Sequence, residues 1–232
     1  SMELGGNAPL IVFEDADVTH AAKQALLSKF RNSGQTCVCA NRIYVQDSVW
    51  DSFAEALCAE VAAIKVGDGL DPAVTQGPMI NEAAVQKSEN HVTDAVAKGA
   101  EVLAGGGRHP LGGLFFEPTV LAGVGDDALC VSEETFGPVA PLFRFSDEDE
   151  VVRRANSSRA GLAAYFFTRD IGRAMRVTSA LEFGMVGVNE GIVSTEVAPF
   201  GGCKESGFGR EGAKQGLDEY VEIKYVLTGA PA

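Results

Sequence analysis

The segment Asn32-Ser-Gly-Gln-Thr-Cys37-Val-Cys39 delivers two thiols from a run of small polar residues, and a thiol in such a loop is a candidate nucleophile. The attacking species is the thiolate, so Cys37 calls for activation by backbone N–H groups and a nearby base. A histidine base is not in evidence. His20 and His91 fall in helical patterns among solvent-facing neighbours, and His109 precedes a proline in a glycine loop, so all three read as surface residues. That argues against a cysteine protease and leaves a carboxylate as the base. Two thiols one residue apart, without a second Cys or His pair, supply at most half a zinc site, so no metal is expected. Cys58 lies among Ala56, Leu57 and Val61 on a helix pattern and reads as inert, as do Cys130 and Cys203.

The elements that must hold this loop alternate between strand and helix patterns. Leu10 to Phe13 reads as a strand, and helix spacing follows at Val18, Ala21, Ala22, Ala25 and Leu26 behind the cap candidates Asp15 and Asp17. The Cys37 loop lies between the end of that helix, near Arg31, and a strand from Arg42 to Gln46. Helices are predicted over 48–64, 82–98, 147–156 and 171–181, and strands over 101–103, 119–121, 139–145, 162–168 and 185–188. This succession implies an α/β domain with an open, largely parallel sheet flanked by helices. The tail from Tyr220 to Leu227 alternates apolar and polar residues and reads as a strand outside that succession, an edge that invites a partner chain.

Composition limits the partners. The 232 residues carry 32 acidic against 19 basic side chains, a net charge of −13, with no basic stripe to meet phosphates, so nucleic acid is not expected. No apolar run approaches the ~20 residues of a membrane helix, and no secretion signal opens the chain. Five cysteines, an odd count, fit reduced thiols and a cytoplasmic setting.

Four strings in order carry a family likeness: Glu3-Leu-Gly-Gly-Asn, Gly34-Gln-Thr-Cys37, Glu134-Thr-Phe-Gly-Pro138 and Pro199-Phe-Gly-Gly202. Together they resemble the signatures of the NAD(P)-dependent aldehyde dehydrogenases, and the separations of 34 positions from Glu3 to Cys37 and 97 from Cys37 to Glu134 look like those of that family. The resemblance implies that Cys37 adds to an aldehyde, that a hydride leaves to the nicotinamide, and that water hydrolyses the resulting thioester. It makes Glu3 the general base and the Cys37 backbone N–H an oxyanion donor. It makes Glu134 the ligand of the nicotinamide ribose hydroxyls, with Phe136 packing beside that end of the cofactor, and Phe200 a wall of the substrate tunnel. Gly201-Gly-Cys-Lys204-Glu-Ser-Gly lacks the order of a phosphate loop, and Lys204 to Gly212 instead resembles the family's C-terminal conserved stretch.

Phe30 to Arg42 and Asn189 to Ser194 look most like the succinate semialdehyde dehydrogenase branch. That likeness implies Arg31 and Ser194 as ligands of a substrate carboxylate, and Cys39 as the second thiol of a redox switch closing on Cys37. Read from the residues alone, Arg31 is equally a helix-end arginine complementing the macrodipole. The alternatives to succinate semialdehyde are another semialdehyde or a simple aliphatic aldehyde. A fragment that keeps the fold without turnover is the rival from outside the enzymes. Residues 1–202 are expected to form the catalytic domain, and 203–232 a C-terminal segment with an oligomerisation strand that builds a homo-oligomer, a dimer or tetramer. The family's amino-terminal cofactor domain has no room in this chain. NAD and NADP therefore both stand as cofactors, and the chain by itself is expected to be inactive.

Overall fold

A computed structural model describes residues 1–231. Two short strands and one long one open the succession: β1 (Met2–Glu3), β2 (Ala8–Val12) and, after helix α1 (Val18–Phe30), β3 (Ala40–Gln46). Helices α2 (Trp50–Ala62) and α3 (Glu82–Ala97) follow, then β4 (Glu101–Ala104), β5 (Thr119–Ala122), a single turn α4 (Leu129–Ser132) and β6 (Val139–Phe145). Beyond α5 (Glu148–Asn156) come β7 (Ala160–Gly161), β8 (Ala163–Phe167), α6 (Ile171–Ala180) and β9 (Met185–Val188). Two further pairs of residues, β10 (Cys203–Lys204) and β11 (Gly207–Phe208), complete the strands. Apart from the tail strand, the predicted elements form, most within two residues of the expected bounds, because hydrophobic period and capping residues mark them. Asp17, Asn81 and Asp147 each cap a helix by accepting a backbone N–H three residues on.

Seven strands form one sheet in the order β4-β5-β6-β3-β2-β8-β9, parallel throughout except for the β4–β5 pair. Alternate residues of β2 and the position after it serve opposite faces. Leu10 and Val12 pack with Phe30, Ile43, Phe53 and Leu57 beneath α1 and α2, whereas Ile11 and Phe13 pack with Tyr44, Phe143 and Phe145 on the side of α3, α5 and α6. Both faces are therefore covered, which is why the central strands read as almost unbroken apolar runs. Among the described residues no helix is long and apolar enough to cross a membrane.

The tail departs from the expected strand. Residues 221–231 join no ladder, and Ile223 is 100% exposed, Tyr225 82% and Leu227 81%. Val221 has extended dihedrals, φ −129° and ψ 151°, but a strand is defined by pairing and no strand of this chain lies alongside. The residues just before the tail are tied to the opposite terminus. β11 pairs antiparallel with β1, matching Met2 with Phe208 and Glu3 with Gly207, and β10 pairs with β7.

Candidate active site

Three of the four motifs meet because they lead into adjacent parallel strands. Gly5-Gly6 precede β2, Cys37 precedes β3 and Glu134 to Pro138 precede β6, and these strands neighbour one another in the order β6-β3-β2. The site thus lies at the amino edge of the sheet, opposite the carboxyl edge where ligands of open α/β sheets usually bind. Close backbone approach holds the loops together. A Cβ on Gly6 would overlap the carbonyl oxygen of Cys37, and one on Gly34 would overlap that of Gly137. Gly34 also has φ +73°, a left-handed conformation that glycine adopts without strain.

The Cys37 loop begins where α1 breaks. Asn32 and Ser33 take φ of 54° and 58°, and the turn is closed by Asn32 Nδ2 donating to the Gln35 carbonyl at 3.1 Å and Ser33 Oγ donating to the Gly77 carbonyl at 2.9 Å. Tyr165 Oη, from β8, donates to the Val38 carbonyl at 2.7 Å and fixes the chain just past the nucleophile. Cys37 itself is half-buried. Burial pushes its thiol pKa up, the charges of Glu134 and Glu3 add to the rise, and the residue's own N–H opposes it. A raised pKa favours the thiol over the thiolate, so forming the thiolate needs a base. Cys39 is buried and donates its Sγ–H to the Gly34 carbonyl at 3.0 Å, and all five cysteines are free thiols.

Glu3 sits on β1, so its position is set by the carboxy-terminal stretch that pairs with it. Ser206, fully buried, donates to the Gly5 carbonyl at 2.8 Å, and the Leu4 N–H donates to the Ser206 carbonyl at 3.1 Å. Both Glu3 carboxylate oxygens are shielded from solvent and have no hydrogen-bond partner among the described residues. Burial raises its pKa, Glu211 raises it further and Arg210 opposes. Glu211 lies close because it exchanges backbone hydrogen bonds with Phe200, at 2.8 and 2.7 Å.

Glu134 accepts the Gly6 N–H on Oε1 at 2.9 Å, and burial holds its pKa above the ordinary carboxylate range against the pull of that N–H and of Lys87 and Lys29. Phe136 takes φ 52°, a strained conformation for an aromatic residue, and turns half-exposed into a cavity of about 560 Å³ shared with Asn32, Gln35 and Met79. Arg31 faces a different cavity, of about 380 Å³, walled by Leu26, Leu27, Phe30, Ile64 and Ile192. Consecutive residues of one turn, Arg31 and Asn32, therefore open on separate cavities flanking the Cys37 loop. Phe200 is half-buried against the core cluster beneath α1, the cluster that Cys37 and Val193 also border. Ser194 is exposed and makes no hydrogen bond among the described residues.

Among the buried charged or titratable residues, Lys29 and His91 lie beside the site and were not expected. Lys29, on the last turn of α1, is 0% exposed and donates to Asn41 Oδ1 at 2.8 Å; burial lowers its pKa, opposed by Cys39 and Glu134. Together with the Ala40 N–H donated to Ser28 Oγ at 3.3 Å, this bond clamps the base of the Cys37 loop. His91, read from sequence as a surface residue, is 1% exposed: it stands on the stripe of α3 that also buries Val85, Val92 and Ala95. Spacing could have located both, since Lys29 is four residues past Ala25 and His91 four before Ala95.

At one edge of this sheet a loop thiol stands near enough to two carboxylates for their charges to raise its pKa. The aldehyde dehydrogenase family model matches residues 1–226, and the chain belongs to that family. It is 61% identical over 229 residues to a 3-sulfolactaldehyde dehydrogenase of Pseudomonas putida, covering 99% of this chain and 47% of that protein. It is 59% identical to the NADP(+) succinate-semialdehyde dehydrogenase of Escherichia coli, with 99% and 48% covered. Among solved structures, succinate-semialdehyde dehydrogenase from Burkholderia pseudomallei superposes with a TM-score of 0.96 at 59% identity, over 97% of this chain and 47% of that one. The chain spans about half the length of these relatives.

Proposed function

We propose that the full-length protein containing this chain oxidises a short aldehyde with an anionic far end, succinate semialdehyde foremost, to the carboxylic acid. NADP or NAD, when bound, accepts the hydride. The observation that carries the reading is the convergence of Cys37, Glu3 and Glu134 through three loops entering neighbouring strands.

The raised pKa of Cys37 favours its thiol, so addition to the aldehyde begins with proton transfer to Glu3, whose own pKa burial raises, making it a stronger base than a solvated carboxylate. The sulfur then bonds to the carbonyl carbon, and the oxyanion that forms takes the Cys37 backbone N–H. Glu3 then passes that proton to solvent; once the carbon has been oxidised, water attacks the thioester on Cys37, Glu3 removes the water's proton, and Cys37 leaves as the thiolate. The orphaned oxygens of Glu3 leave it free for both tasks. The residues present also fit a dinucleotide. Glu134 Oε1 is engaged by Gly6 while Oε2 makes no hydrogen bond among the described residues, and Phe136 offers an aromatic face in the adjoining cavity. These two residues would hold the ribose and the nicotinamide end.

Arg31 is the cation for the substrate's far end. Sulfolactaldehyde carries a sulfonate and succinate semialdehyde a carboxylate, so the substrates named for both relatives share an anion that a guanidinium in an apolar cavity recognises. Ser194 and Phe200 complete the tunnel, one as a hydroxyl donor and the other as an apolar wall. The exposed tail pairs between copies to build a homo-oligomer. The test is Arg31→Ala in the full-length protein, assayed on succinate semialdehyde and on butanal. A hydrogen bond to a charged group contributes about 1.5–3 kcal/mol, so kcat/KM should fall about 10- to 100-fold on the anionic aldehyde alone. Equal losses on both would defeat the assignment of Arg31.

A further inference from the structure

His91 bonds to both neighbours of Glu134. Its Nδ1 lies 3.0 Å from Thr135 Oγ1, and its Nε2 lies 3.4 Å from Glu133 Oε2, a long contact. A carboxylate only accepts, so Nε2 carries the proton and Nδ1 accepts from the Thr135 hydroxyl. Thr135 is 1% exposed, which leaves no solvent to replace that bond. The imidazole stands on α3, a helix packed into the core by Val85, Val92 and Ala95, so the bonds fasten a loop to a rigid element. Glu134, between the two fastened residues, is set facing the Gly6 N–H. A histidine filling the core would need no such pair of partners bracketing one functional carboxylate.

We propose that His91 is a positioning residue for the cofactor site: by holding Thr135 and Glu133 it fixes the direction of the Glu134 carboxylate toward the dinucleotide. The inference rests on the reading of Glu134 as the ribose ligand. It has a consequence for pH. A second proton on the ring turns Nδ1 into a donor, and the Thr135 hydroxyl loses its acceptor. Burial holds the His91 pKa below the usual histidine range; Lys87 and Lys29 push the same way, and Glu133 opposes. Asp94, on the next turn of α3, also faces the ring. Dinucleotide affinity therefore falls on the acid side of the ordinary histidine range, and not at neutral pH.

The experiment measures NADP and NAD binding by fluorescence quenching in the full-length dehydrogenase, without aldehyde, together with kcat and KM and a thermal melt. Its variants are Glu134→Ala, His91→Phe, His91→Gln and Thr135→Val. We expect His91→Phe and Thr135→Val to raise the dinucleotide Kd about five- to tenfold, as for one lost hydrogen bond, with kcat at saturating dinucleotide within about twofold. Protonation of Glu134 itself also weakens binding in acid, so in His91→Gln the acid-side weakening should shrink and begin at lower pH, without vanishing. If Glu134→Ala weakens binding while His91→Phe and Thr135→Val bind as wild type, the positioning role is overturned and the ribose ligand stands. If Glu134→Ala itself binds normally, the reading of Glu134 fails instead. Should His91→Phe not fold, Thr135→Val, which keeps the side-chain volume, decides alone.

Discussion

The Cα of Gly6 lies against the carbonyl oxygen of Cys37, leaving no room for a Cβ, while the Gly6 N–H donates to Glu134 at 2.9 Å. One glycine thus joins the loop that carries the base, the loop that carries the nucleophile and the loop that carries the second acid. A Gly6→Ala substitution should force these loops apart, costing about 1–3 kcal/mol of stability as overpacking does in cores. Urea unfolding measures the loss. Wild-type stability together with wild-type activity would show that the contact does not hold the site.

The electrostatics of Cys37 give a prediction with a sign. Glu134 and then Glu3 raise its pKa by their negative charge, so removing either charge must favour the thiolate. The pH midpoint for iodoacetamide alkylation of Cys37 should therefore move down in Glu134→Gln, and by less in Glu3→Gln. Turnover should fall in both, because a freer thiolate does not replace a lost base or cofactor ligand. An upward shift in either variant would contradict the placement of these charges around the sulfur.

The strands, helices and four motifs were legible in the sequence, because apolar period and short fixed strings survive without coordinates. The order of the strands was not, and it is the order β6-β3-β2 that brings the Glu134, Cys37 and Gly6 loops to one edge. Buried polar groups escaped for a related reason. Lys29 and His91 sit on the inward stripes of α1 and α3, but residue type argued for solvent, and only their partners Asn41 and Thr135 explain the burial. The rise in the Cys37 thiol pKa comes first from burial and then from carboxylates 97 and 34 positions away, and could not be read locally. The tail joins no ladder among the described residues, because alternation of apolar and polar residues marks a segment able to pair and supplies no strand for it to pair with.

The tail gives a prediction on assembly. Val221, Ile223, Tyr225, Val226 and Leu227 are all exposed, more apolar surface than an isolated extended segment keeps in water without a partner. The intact protein should run as a dimer or tetramer by light scattering, and deletion from residue 221 onward should shift it toward monomer. An intact protein that is a stable monomer would refute the assembly role.

Cys39 supports a prediction on oxidation. Its thiol is buried behind the half-exposed Cys37, so peroxide meets Cys37 first, giving a sulfenic acid that the Cys39 thiol can condense with, releasing water and leaving a disulfide. Activity lost to mild peroxide should return with dithiothreitol in the wild type, and should return less completely in Cys39→Ser. Absence of a Cys37–Cys39 bond by mass spectrometry, with no loss of activity, would remove the switch.

The covalent role of Cys37 is tested most directly by trapping the thioester. In the full-length wild-type protein, acyl enzyme should be caught by stopping the reaction within the first turnovers after mixing with succinate semialdehyde and NADP. Quenching, digestion and fragmentation of the Asn32–Arg42 peptide should locate a succinyl group on Cys37. No acyl adduct under turnover, or an adduct on Cys39 with Cys37 unmodified, would contradict it.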